Sequence, residues 1–108
     1  MKEGIYKLVF SSIASSNGPL DGIVVVTANK INGGDDACLY KGEIKGNKAF
    51  IKFTPHNKHD TTNFIGHEPL DIEIRFENHI SHYLFKGHIK GDSTQVIHGQ
   101  LNFLSSLA

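Results

Sequence analysis

The segment EPLDIEIRFEN, residues 68–78, decides the fold class, because apolar and charged side chains alternate along it. The apolar positions are Leu70, Ile72, Ile74 and Phe76, and the polar positions between and after them are Asp71, Glu73, Arg75 and Glu77. Successive side chains of a β-strand point to opposite faces, so a period of two predicts a strand. We expect the apolar row to face a core and the charged row to face solvent.

The same period recurs on both sides of this segment. The further runs are GIYKLVFSS (4–12), GIVVVTAN (22–29), CLYKGEIKG (38–46), KAFIKFT (48–54), HYLFKGHIKG (82–91) and TQVIHGQLNFL (94–104). No window has the i, i+3, i+4, i+7 apolar spacing of a helix. Short turn signals such as KGNK (45–48) and ENHIS (77–81) separate the runs, as in hairpins. The one long connection, residues 54–66, is interpreted as a loop or a single helical turn.

About seven or eight strands joined in sequence predict an all-β, up-and-down antiparallel meander. A meander of that length is expected to close into a small barrel, because closure removes the unpaired strand edges. Glycines at inward positions 42, 87 and 99 fit this prediction, since they permit sharp bends or close strand approach. The 108 residues contain no linker or low-complexity tract, so we predict a single domain, residues 1–108.

The charge balance excludes some classes of partner. Eleven basic and eleven acidic residues give a formal net charge of zero, which argues against non-specific nucleic-acid binding and a polybasic membrane anchor. No apolar run approaches the ~18 residues that span a bilayer. Residues 1–16 are interpreted as the first strand of the mature protein and not a signal peptide, because Lys7 interrupts their apolar stretch. The single cysteine excludes an intrachain disulfide and fits the predicted cytoplasmic location.

The segment INGGDDACLYKG, residues 31–42, allows three interpretations: a metal or phosphate loop, part of a catalytic site, or a conformational turn. A phosphate loop would need a lysine and a following helix, and two adjacent aspartates are too few for a calcium loop. We therefore predict a structural turn in which Gly33 or Gly34 takes a positive φ. Asp35 is predicted to close it through an Asx-type hydrogen bond.

Seven histidines suggest a metal site, and two of them, His56 and His59, are three residues apart beside Asp60. His67 and Glu68 would add two further ligands. No second HxxH and no CxxC motif accompanies them, so we interpret them as surface histidines and expect no metal or cofactor. Cys38 lies in no motif of a cysteine enzyme and is predicted to be a packed hydrophobe. Without a convergent acid, base and nucleophile, we predict no catalytic residues and no enzyme activity.

Six aromatic residues fall on the predicted inward face, where they either line a ligand cavity or fill the core. They are Tyr6, Phe10, Tyr40, Phe53, Phe76 and Phe85. An eight-stranded barrel is just wide enough to be filled by side chains or to hold one small ligand. A chain of this length favours filling or a narrow cavity, and a small apolar ligand-binding barrel remains the alternative function.

Short motifs follow one another through nearly the whole chain: GIYKLVF (4–10), GIVVV (22–26), INGGDDACLYKG (31–42), TPHNKHDTTNFIG (54–66) and FKG (85–87). In order and spacing they resemble the GrlR-like family of small bacterial proteins. The resemblance implies a lipocalin-like (calycin) β-barrel that forms a homodimer. It also implies a non-enzymatic negative regulator of type III secretion gene expression, which binds a transcriptional activator and does not itself read DNA.

One segment departs from the family pattern. The family's founding member carries an acidic surface run, EDED, tied to engaging the activator, near the place where this chain has KGNKAF, residues 45–50. Here Lys45, Asn47 and Lys48 stand at that position with the opposite charge. Because charge complementarity selects partners, we expect a different partner or a different contact. We predict partner binding at these three residues, with the loop carrying His56 and His59 as the second candidate.

Overall fold

A computed structural model describes residues 1–12, 20–56, 69–79 and 82–108, which form β-strands and contain no helix. The strands are β1 (Gly4–Ser12), β2 (Leu20–Thr27), β3 (Lys30–Gly34), β4 (Cys38–Lys45), β5 (Lys48–Pro55), β6 (Leu70–Asn78), β7 (His82–Ile89) and β8 (Asp92–Ser105). Each strand pairs antiparallel with the next, and β8 pairs with β1 to close the sheet. The predicted all-β meander that closes into a small barrel is confirmed. In these ranges, no helix has the length and apolarity needed to cross a membrane.

Strand β6 has the predicted orientation. Ile72 and Ile74 are almost fully buried, and Leu70 and Phe76 are partly buried and pack against the same core. Asp71, Arg75 and Glu77 on the other face are exposed. The same alternation on the neighbouring strands places one apolar row from each strand inside the barrel, because antiparallel register keeps directly opposite residues on one face.

Two aromatic clusters lie at opposite ends of the barrel interior. At one end the Phe53 ring centroid is 5.6 Å from that of Phe10 and 4.7 Å from that of Tyr40. At the other end the Tyr6 ring lies 6.1 Å from Tyr83 and 5.5 Å from Phe103. Branched aliphatic side chains occupy the space between the clusters. The core is therefore continuous along the barrel axis.

The prediction that Gly33 or Gly34 has a positive φ is wrong. Both glycines lie in strand β3, opposite Val24 and Ile23 of β2. The left-handed residues that reverse the chain are Ala28, with φ 52°, and Asn29, with φ 61°, in the two-residue connection between β2 and β3. Because that hairpin turns earlier than the sequence suggested, the two glycines continue the ladder and the next bend falls at Asp36 and Ala37.

Candidate functional site

The predicted partner-binding residues Lys45, Asn47 and Lys48 form the tight turn between β4 and β5. Lys45 and Lys48 are paired across the hairpin, and Gly46 between them has φ 63°. Glycine suits this position because a side chain there would be strained. The carbonyl oxygen of Asn47 accepts a hydrogen bond of 2.7 Å from the backbone N–H of Phe76 on β6. The turn is thus held against the neighbouring strand and presents its side chains outward.

The charges at this turn are only partly compensated. Lys48 Nζ lies 3.9 Å from Glu73 Oε1 on β6. Lys45 Nζ lies 5.9 Å from the centroid of the Phe50 ring, within range of a cation–π contact. Phe50 itself points outward and is 43% exposed. The turn therefore places two cations beside an exposed aromatic side chain, and aromatic side chains are enriched at protein–protein interfaces.

The cross-strand register adds a residue that sequence analysis missed. Arg75 of β6 lies directly opposite Lys48 and is exposed. In the sequence it is simply one charged position in the alternation of β6, and nothing in that alternation states which residue of β5 it faces. The basic surface of the turn therefore continues onto β6.

The second candidate, the histidine-bearing loop, is only partly described. His56 follows β5, whereas His59 lies outside the described residues, as do Asp60, His67 and Glu68. The backbone N–H of His56 donates to the carbonyl oxygen of Ala37 at 2.9 Å, and its Nε2 lies 2.7 Å from the carbonyl oxygen of Asp35. Because β5 separates Lys48 from His56, by roughly 25 Å at ~3.4 Å per residue, the two candidate surfaces lie at opposite ends of the barrel.

Asp35 closes a local turn, as predicted. Its Oδ1 accepts hydrogen bonds of 2.7 Å from the backbone N–H groups of both Ala37 and Cys38, and its Oδ2 accepts one from the Tyr40 hydroxyl. Its own N–H donates to the carbonyl oxygen of Cys38 at 2.9 Å. All three donors to the carboxylate, two backbone N–H groups and one hydroxyl, lie within five residues of it. This arrangement is a structural Asx-type turn, and it connects the bend to the aromatic core.

The environment of two tyrosines keeps their hydroxyls protonated. Burial, together with the hydrogen bond and charge of Asp35, raises the pKa of Tyr40 far above its ordinary value. Burial and the neighbouring Tyr83 raise the pKa of Tyr6 to about 12, and the Tyr6 hydroxyl donates to the carbonyl oxygen of Lys2 at 2.5 Å. Neither hydroxyl is poised to act as a base near neutral pH, so both serve as hydrogen-bond donors.

The six aromatic cavity candidates pack into the core. Phe10, Tyr40, Phe53 and Phe85 surround a wholly apolar space of about 20 Å³. Tyr6 and Phe76 lie nearer the other end, each in contact with the ring of Tyr83. A space of that size is close to the minimum that holds one water molecule, so the described side chains fill the interior.

Other reactive groups do not converge in the described part of the chain. Within it, no three residues of the types His, Cys, Asp and Glu are placed to hold a metal ion. Cys38 is buried at the start of β4, as expected of a packed hydrophobe. His88 and His98 project from the outer face of the barrel.

We expect Asp35→Ala to lower the free energy of unfolding by about 2 kcal/mol, because it removes acceptors from three donors. Chemical denaturation monitored by circular dichroism measures the change. Asp36→Ala is the matched control, since Asp36 is exposed and its loss changes the net charge equally. Equal stabilities of the two variants would contradict a structural role for Asp35.

Comparison with known proteins adds no relative. No model of a known protein family matches the chain, and the search of curated proteins also gave no match.

Proposed function

We propose that this protein is a non-enzymatic, cytoplasmic regulator of gene expression that acts by binding another protein. The partner in this proposal is a transcriptional activator, as the resemblance to the GrlR-like family implies, and the regulator acts as a homodimer. The contact surface is the β4–β5 turn. The genes that it controls in this proposal are those of type III secretion, the process regulated by the family's founding member.

The observation that carries the proposal is the β4–β5 turn itself. Its backbone is anchored to β6 through Asn47, while Lys45 and Lys48 flank a turn whose neighbour Phe50 is exposed. An anchored turn loses little conformational entropy on binding, so its charges are available to a partner at low cost. Because both charged side chains are basic, the partner is expected to present an acidic surface there.

The alternative, a barrel that binds a small apolar ligand, finds no support in the interior. The remaining space of about 20 Å³ is far below the ~300 Å³ at which ligand pockets begin. A ligand would have to displace the packed aromatic side chains. The geometry therefore favours contact through the outer surface.

The test is a pair of charge reversals. Lys45→Glu with Lys48→Glu should slow association with the cellular partner about tenfold at low salt, and the difference should shrink as salt rises. The partner is first captured from native cells and identified, and association is then followed by surface plasmon resonance. Lys41→Glu with Lys52→Glu is the matched control, since these lysines are also exposed and paired across β4 and β5.

Two results would overturn the proposal. One is a partner whose association rate ignores both the reversal at the turn and the salt concentration, which would move the functional surface to the His56 end of the barrel. The other is a monomer at micromolar concentration in analytical ultracentrifugation, which would remove the homodimer from the proposal.

A further inference from the structure

Directly opposite residues on five adjacent strands form a continuous line of basic side chains on the outer face of the barrel. The line, called the basic row below, consists of Lys45 (β4), Lys48 (β5), Arg75 (β6), Lys86 (β7) and His98 (β8). Each is the register partner of the next. At ~4.8 Å per strand the row extends about 19 Å along the curved surface.

The middle of the basic row is electrostatically uncompensated. Arg75 and Lys86 are exposed and directly opposed, and like charges in that position destabilise a sheet. The outward acids on either side of Arg75 along β6 are turned toward other bases. Glu73 lies 3.9 Å from both Lys48 Nζ and His88 Nε2, and Glu77 Oε1 lies 3.3 Å from His79 Nε2. No described carboxylate forms an ion pair with Arg75 or Lys86.

The surface around these residues is recessed. A depression of about 610 Å³ on β6–β8 is lined by Arg75, Lys86 and His98 and by one acid, Glu77, and a smaller one of about 100 Å³ adjoins it beside Lys48 and Glu73. A local arrangement that costs stability without a compensating contact in the free protein is typical of a binding surface. Both the charge and the shape therefore point to an anionic occupant.

We propose that the basic row is the binding site for an extended acidic segment of a protein partner, which crosses the strands from the β4–β5 turn to β8. This inference rests on the proposed function and deepens it, because it extends the contact surface from the turn and specifies the chemistry of the partner.

The curvature of the barrel favours an extended segment over a flat acidic surface. The row covers four of the eight interstrand steps, so it passes halfway around the barrel. A flat surface would touch only part of this curve, whereas an extended chain can follow it. In an extended chain, every second side chain points the same way at a spacing of ~6.8 Å, so carboxylates at alternate positions can meet the row along its length.

A protein segment also fits better than a nucleic acid. The formal net charge of zero supplies no long-range attraction to a polyanion. The exposed Phe50 and the partly buried Leu84 lie beside the row and offer apolar contacts to the side chains of a peptide.

The test titrates the whole chain with a peptide in which glutamate alternates with serine, followed by amide chemical shifts in NMR. We expect saturable shifts around the five row residues and none with the same peptide carrying glutamine. Arg75→Glu with Lys86→Glu should weaken binding at least about tenfold. The control, Lys41→Glu with Lys52→Glu, changes the net charge equally and should weaken it less than about twofold. If the reversed variant does not fold, Arg75→Gln with Lys86→Gln replaces it.

The inference is overturned if the glutamate peptide does not bind, or if the control reversal weakens binding as much as the row reversal. It is also overturned if a thymidine oligonucleotide or a phosphatidylserine vesicle binds the row more tightly than the peptide. If the peptide does not bind the basic row but the cellular partner still depends on Lys45 and Lys48, this inference fails and the proposed function stands. Peptide binding at the row without any such partner would instead refute the regulatory role.

Discussion

Ile72→Asp should leave the protein unfolded, or destabilise it by more than about 4 kcal/mol. Ile72 is 1% exposed and points into the barrel between Ile51 of β5 and Ile89 of β7. A carboxylate there would be buried without a described donor or cation nearby, and its desolvation would also be added to the loss of apolar packing. Circular dichroism melting and the dispersion of amide resonances measure the effect.

Lys41→Asp is the matched control for this substitution. It introduces the same side chain on the outer face of β4, opposite Lys52, and should change stability by no more than about 0.5 kcal/mol. A cooperative, native-like melting transition for Ile72→Asp would mean that the inward and outward faces of β6 have been misassigned.

The fold could be predicted from the sequence wherever a strand has one polar face exposed to solvent. In β6 the charged residues mark the outer face at every second position, so the inward set follows directly. In β2 every residue of the β-branched run is apolar, so the sequence does not show which face each one occupies. Val24 and Val26 are buried, whereas Ile23 on the outer face is 45% exposed. An apolar residue on the outer face removes the contrast between polar and apolar positions, so the alternation rule cannot assign that residue to a face.

The candidate site was readable only in part, because register between strands is a tertiary property. Lys45 and Lys48 were identifiable, since a short hairpin fixes their pairing locally. The continuation to Arg75 and Lys86 depends on how β6 aligns with β5 across a long connection and then with β7. The order of residues within each strand is compatible with several such alignments, and packing of the inward rows selects one.

The error at Gly33 has the same origin. Two adjacent glycines before two aspartates carry a strong local turn signal, but β3 is short and its hairpin is completed at Ala28 and Asn29. Gly33 is needed for a different reason. A Cβ at this position would fall against the carbonyl oxygen of Ile23 and only 2.7 Å from Val24 Cα. Glycine here permits two backbones to approach each other, with no requirement for a positive φ.

Gly33→Ala should therefore cost about 3 kcal/mol or more, because the obstructing atoms belong to the backbone of β2 and cannot rotate away. Gly46→Ala is the informative comparison. A Cβ at Gly46 meets nothing within 4 Å, so its cost arises only from the left-handed φ of 63° and should be about 1 kcal/mol. Urea denaturation of both variants separates the two mechanisms. The amide shifts of β2 and β3 should also move in Gly33→Ala, whereas those of Gly46→Ala should move only around the β4–β5 turn. Equal and small losses in the two variants would show that β2 can yield to the added methyl group, and the role of Gly33 as a close-approach residue would then be wrong.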